Sequence, residues 1–196
     1  MSYVGIVVSF TLVNNLVFTY FLGLCILLDA SRSLRSALTI GLALTLMLTV
    51  STLAGSTVYH LLLVPLRLHW LQILVFVLIA LGVGKLLDAL TRRLSPSLYK
   101  TLQPNAVLLT GQSVMLGMVL ITVQRDFGIV ESMVAGLAAG VGLLVVFGLM
   151  AAIREQLARE WIPRPFRGAP IALISAGLLA MAFLAFDGAL LVNLFE

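Results

Sequence analysis

Thr11-Leu12-Val13-Asn14-Asn15-Leu16-Val17-Phe18-Thr19-Tyr20-Phe21-Leu22-Gly23-Leu24-Cys25 sits inside an uncharged stretch that runs from Met1 to Leu28, the first charge being Asp29. The stretch is long enough to cross a bilayer, for which about 20 apolar residues are needed. In its middle lie two adjacent amides, and near its end a glycine and the only cysteine of the chain. Polar groups inside a membrane are costly and mark protein-lined sites. On a helix, neighbouring amides point about 100° apart, so one helix interface satisfies Asn14 or Asn15 but serves both poorly.

Composition extends this reading to the whole chain. The 196 residues are 61% hydrophobic and 10% charged, with a mean hydropathy of +1.15, whereas a soluble domain carries about a quarter charged residues. An integral membrane protein follows. No basic region precedes the first apolar block and no small-residue cleavage site follows it, so the block reads as a retained span and not a signal peptide. The net charge of +4 comes from basic residues placed between apolar blocks, which makes nucleic acid an unexpected partner and the lipid bilayer the expected surroundings. A single cysteine permits no internal disulfide and cannot alone complete a metal cluster that takes four ligands.

Charged and turn-rich stretches divide the chain into six apolar blocks, 3–27, 36–58, 69–90, 102–124, 131–153 and 169–191. The expected fold class is all-α integral membrane, with six transmembrane helices in one polytopic domain, 1–196. Arg32, Arg35, Lys85, Arg92, Arg93, Lys100, Arg154, Arg159, Arg164 and Arg167 fall at the odd-numbered connections, and only Arg67 and Arg125 at the even ones. Short basic loops stay in the cytoplasm, so both termini are expected on the outer side, periplasmic if the membrane is a bacterial inner membrane.

Three spans followed by three more predict an inverted repeat with halves of about 1–95 and 96–196. Span one carries Asn14, Asn15 and Gly23, and its counterpart span four carries Thr110, Gly111, Gln112 and Ser113, then Leu116 and Gly117. Interrupted helices in such repeats line protected cavities, so spans one and four are both expected to be broken. Geometry agrees for span one: a straight helix from residue 3 would put Cys25 about 33 Å along its axis, near the cytoplasmic surface.

Other features carry plainer readings. Gly136 and Gly140 form a small-xxx-small pair suited to close helix packing. Lys85 and Asp88, like Glu155 and Arg159, have spacings that pair charges on one helical face, and Pro163 and Pro165 should end the helix that carries the second pair. Asp187 is expected near the outer interface, hydrated. His60 and His69 flank an outer loop without the cysteine or carboxylate company of a metal site. The chain has no nucleotide loop, catalytic triad or metalloprotease motif.

Leu12-Val13-Asn14-Asn15, Phe21 to Cys25, Ser95-Pro96-Ser97-Leu98-Tyr99, Ala151 to Glu155, Pro165-Phe166-Arg167-Gly168, Ile171 to Ile174 and Ala176-Gly177-Leu178 resemble, in order, the family of A-type membrane subunits of the Rnf/Rsx ion-translocating electron-transport complexes. The E-type subunits of the sodium-translocating NADH:quinone reductases are similar. The resemblance covers essentially the whole chain. It implies a six-span protein paired with a homologous sister subunit of opposite topology, in the company of flavin-bearing and iron–sulfur subunits. It also implies a 2Fe-2S cluster held between the two sisters, with one cysteine from span one and one from span four of each. Electrons would pass between NADH and ferredoxin, coupled to sodium or proton movement.

Under this resemblance Cys25 takes the first ligand position, with Asn14, Asn15 and Gly23 as its framework, and Gly111, Gln112 and Ser113 stand where the family has a Thr-Asn-Cys tract. Ser113 therefore occupies the second ligand position. Three arrangements are open: Ser113 as an oxygen ligand, a cluster held mainly by the partner, or no cluster. The reading favoured is a retained cluster in one subunit of a translocating oxidoreductase, inactive alone and with no catalytic residue of its own. The competing class is a redox-inert structural or transport subunit.

Overall fold

The structure is a computed structural model and describes residues 3–31, 33–66, 69–94, 107–161 and 163–194. Among these every regular element is helical. Helix α1 (Tyr3–Val8) runs into a π-helical turn, Ser9–Val13, and after an irregular segment the chain resumes as α2 (Leu24–Ala30). Then come α3 (Leu34–Val58), α4 (Gln72–Leu94), α5 (Val107–Gln124), α6 (Ile129–Leu157) and α7 (Ala169–Leu194). These elements fall on the six apolar blocks. Two of them are long and apolar enough to cross a membrane, Leu34–Leu63 and Ile129–Leu157. The first is α3 extended by a second π-helical turn, Tyr59–Leu63.

The centre of the bundle is the antiparallel pair α3 and α6, the most extensive packing in the molecule. Small residues make it possible. A Cβ added at Gly140 would lie 2.7 Å from the Thr45 Cα, and one at Gly136 would lie 3.2 Å from the Thr49 Cα and collide with the Thr52 hydroxyl. The expected role of this glycine pair is thus borne out. Thr45, Thr49 and Thr52 turn their hydroxyls back to the carbonyls of Gly41, Thr45 and Leu48, each at 2.8 Å, so no donor of these three is stranded in an apolar seam.

Around this pair the usual pattern of a soluble protein is turned outward. Helix α7 packs Ala172, Ala176 and Ala180 inward and leaves Leu173, Leu178, Met181 and Leu184 exposed. Small residues facing helices and large apolar ones facing out is the arrangement lipid favours. The buried core gathers Phe10, Leu16, Val17, Phe18, Leu44, Leu48, Met115, Met118, Phe147 and Met150, so Leu16, Val17 and Phe18 of the irregular part of span one lie within the core, while Tyr20 and Phe21 are exposed.

Span one is broken, as expected. Span four is not: α5 continues unbroken from Val107 to Gln124, through Thr110, Gly111, Gln112 and Ser113. The physical reason is that one glycine in a helix costs only about 1 kcal/mol against alanine, and no proline removes a donor there. Intact intrahelical bonds are also the cheapest backbone state away from water. Residues 102–106 of that block lie outside the described residues. The exposed Glu155–Arg159 pair forms at 3.4 Å, and α6 stops at Leu157, ahead of Pro163. The side chains of Asp88, His69 and Asp187 lie outside the described residues.

Candidate functional site: the break in the first apolar segment

The interruption is built by the amides. The π-helical turn closes with Asn14 N–H donating to Ser9 O at 2.6 Å, while the Asn14 side-chain amide donates to the Ser9 hydroxyl at 2.8 Å. Asn15 then turns the chain: its Oδ1 accepts from Val17 N–H at 3.0 Å, an Asx-turn that substitutes for the lost helical bond. The residue is only 1% exposed, and its Nδ2 faces Thr11 O at 3.5 Å. The two amides therefore do different work, one finishing the π turn and one starting the irregular segment. Thr19 N–H donates to Asn15 O at 2.9 Å, Leu22 N–H to Leu16 O at 3.0 Å and the Thr19 hydroxyl to Val13 O at 3.2 Å. These freed backbone groups are thus satisfied within the protein, as an apolar setting demands.

Two left-handed residues complete the turn, Phe21 at φ 54° and Gly23 at φ 81°. Gly23 is required twice over: a side chain at that φ is strained, and a Cβ would approach the Val114 Cγ2 to 2.8 Å. Gly117, one turn further along α5, receives the Leu22 side chain in the space its own Cβ would fill. On the other flank, Gly142 of α6 lets the π turn come close, since a Cβ there would lie 3.0 Å from both Phe10 O and Thr11 O. The break in span one is therefore clasped between α5 and α6.

Of the predicted site residues, Asn14, Asn15 and Gly23 lie in the break itself. Cys25 lies in the first turn of α2 and is exposed as a free thiol. Ser113 is exposed on α5, next in sequence to the Val114 that touches Gly23. The backbones of Gly111 and Gln112 lie in α5. Among the described residues no group of three or more His, Cys, Asp or Glu comes together. The donors are one thiol and one hydroxyl, both exposed, too few by themselves to complete a cluster that takes four ligands.

Two arginines read from sequence only as orienting charges have specific places. Arg125, between α5 and α6, sits with its guanidinium 5.1 Å from the centroid of the Phe10 ring, which also meets Phe127 edge-on at 6.2 Å. Arg154, in the last turn of α6, donates from Nη1 to Leu28 O at 2.6 Å and to the Ser31 hydroxyl at 2.9 Å. Each contact spans more than a hundred residues, and no local spacing announces it.

A helical bundle with an apolar exterior, an interior seam of glycine and threonine, and an interrupted first segment clasped by two helices defines an integral membrane protein in which the polar groups freed by the interruption are bonded within the chain. The chain belongs to the Rnf-Nqr family: the family model described as "Rnf-Nqr subunit, membrane protein" matches residues 3–190. A relative from Actinobacillus pleuropneumoniae serotype 5b (strain L20) is 38% identical over 188 residues, 96% of this chain and 97% of its own length. One from Edwardsiella ictaluri (strain 93-146) is 41% identical over 187 residues, 95% and 97% of the two chains. One from Pseudoalteromonas translucida (strain TAC 125) is 38% identical over the same coverage. All three carry the name of the A-type subunit of the ion-translocating oxidoreductase complex.

Proposed function

We propose that this chain is the A-type subunit of an Rnf-type ion-translocating oxidoreductase and that Cys25 gives one thiolate to a 2Fe-2S cluster shared with a homologous sister subunit. The observation that carries the reading is the broken first segment. Its Asn14, Asn15 and Gly23 end one helix inside the core and start another, so the only thiol of the chain is exposed in the first turn of the new helix, two residues after the Gly23 that fits against Val114 of α5. A structural cysteine is among the most buried of residues, and this one is exposed. The names carried by relatives matching nearly the full chain support the subunit assignment.

When bound, the cluster would supply a one-electron carrier within the membrane whose potential is set by its ligands and surroundings. The chain's part is to hold the Cys25 thiol on a helix start fixed by the close fit of Gly23 against Val114, and to offer the Ser113 hydroxyl from α5. In the complex the sister subunit would have the opposite topology and complete the ligand set, with flavin-bearing and iron–sulfur subunits as further partners. Electrons would pass between NADH and ferredoxin, coupled to sodium or proton movement. We place the chain in a bacterial inner membrane as a three-plus-three inverted repeat with both termini periplasmic.

The second reading, a redox-inert structural or transport subunit, rests on Ser113, because iron–sulfur ligation is dominated by thiolate. Purified complexes carrying the native chain, Cys25→Ser or Ser113→Cys separate the two. Under the proposal Cys25→Ser removes or shifts the intramembrane EPR signal and stops electron transfer while the complex still assembles. Ser113→Cys changes the potential or raises iron occupancy. Unchanged iron, EPR spectrum and turnover in Cys25→Ser would give the redox-inert reading the field.

A further inference from the structure

We propose that Arg154 is a positioning residue for Cys25: by binding the C-terminal end of α2 it fixes where the thiol at the start of that helix lies. The inference rests on the reading of Cys25 as a ligand.

Helix α2 has seven residues, Leu24–Ala30, too few to be stable alone, since isolated helices below about 12 residues are marginal even in water. Its approach is irregular, through the left-handed Phe21 and Gly23. Something outside α2 must therefore hold it, and Ile26, Leu27 and Ala30 supply only one buried, non-directional face. The directional hold is at the far end. The last carbonyls of a helix have no intrahelical donor, and here Leu28 O receives Arg154 Nη1 at 2.6 Å, while the same nitrogen reaches the hydroxyl of the fully buried Ser31 at 2.9 Å. Ser31 N–H in turn donates to Leu27 O at 3.0 Å. A cation is favourable at a helix C-terminus.

The anchor is a stiff one. Arg154 belongs to α6, the 29-residue helix packed along α3. Leu28 follows Cys25 by three residues, so the two lie on one face of α2, about 4.5 Å apart along its axis. A shift at Leu28 O is therefore passed to Cys25 through less than one helical turn. Arginine suits the task better than lysine, because the planar guanidinium presents several donors in a rigid fork. Its fixed positive charge, held at Leu28 O on the same short helix, would also favour the more negative, reduced state of a cluster bound at Cys25.

The chain has one cysteine, so alkylation of the full-length chain, produced without partners in native membranes, reports on Cys25 alone. Arg154→Gln should change the alkylation rate by at least about threefold, because the already exposed thiol loses its fixed place as α2 loosens. Arg154→Lys should restore part of the difference, and Ser31→Ala should give a smaller change. In the assembled complex Arg154→Gln should lower the midpoint potential of the cluster, and Arg154→Lys should not. Equal alkylation rates in native, Arg154→Gln and Ser31→Ala chains would overturn the inference. If Arg154→Gln fails to accumulate, the Ser31→Ala comparison decides it by the same rate. Iron content and an EPR spectrum left unchanged by Cys25→Ser would sink the ligand reading while leaving the alkylation result to judge Arg154.

Discussion

Gly23 and Asn15 each hold the break by a different physical means, and substitutions tell those means apart. At Gly23 a side chain meets an unfavourable φ of 81° and the Val114 methyl group. Gly23→Ala should destabilise the chain by about 1–3 kcal/mol, measured by denaturant titration in detergent micelles. Adding Val114→Ala should recover the steric part of that loss and leave the backbone part. Asn15 acts by hydrogen bonding: Asn15→Ala leaves Val17 N–H without its acceptor in a buried position, which costs about 1–3 kcal/mol. Asn14→Ala should cost less, because the Asn14 side chain is only partly buried and the backbone bond to Ser9 O remains.

Among the elements, the α3–α6 seam makes the most direct claim. Gly140 and Gly148 lie on the same helix, yet a Cβ at Gly140 would sit 2.7 Å from a Thr45 backbone atom, while one at Gly148 meets nothing within 4 Å. Gly140→Ala should therefore lower stability by about 1–3 kcal/mol through overpacking. Gly148→Ala should raise it by about 0.5–1 kcal/mol, the ordinary helix-interior gain. Unfolding curves of the two variants, run side by side, check both signs. The glycine spacing made this seam legible in the sequence, as hydropathy did the helix limits and the Asn14-Asn15 pair did the break. Span four misled because glycine and hydroxyl residues permit an interruption without imposing one; nothing in α5 matches the Asx-turn of Asn15 or the left-handed Phe21. The arginine contacts were illegible for another reason. Arg154 meets α2 only after α6 has folded back along α3, and linear charge counting sees a basic connection and nothing more.

For the molecule as a whole, charge and packing lead to one testable orientation. Contacts of Gly41 with Leu144 and of Gly140 with Thr45 make α3 and α6 antiparallel. The start of α3, with Arg35, therefore lies at the same end as the close of α6, with Arg154 and Arg159. The bond from Arg154 to Ser31 joins the two connections directly. At the opposite end, Arg125 lies against Phe10 of the first segment. The large side chains between the ends, such as Leu42, Leu46, Leu74, Leu78 and Met181, point outward and are exposed, as lipid contact requires. One end of the bundle is thus rich in basic residues and the other poor, and short basic connections remain on the cytoplasmic side. Reporter fusions at Arg93 and Arg159 should give a cytoplasmic signal and a fusion at Arg125 an external one. A cytoplasmic signal at Arg125 together with an external one at Arg159 would invert the orientation while keeping the bundle. Arg93 and Arg159 on opposite sides would instead remove the even number of crossings between them, and with it the inverted repeat.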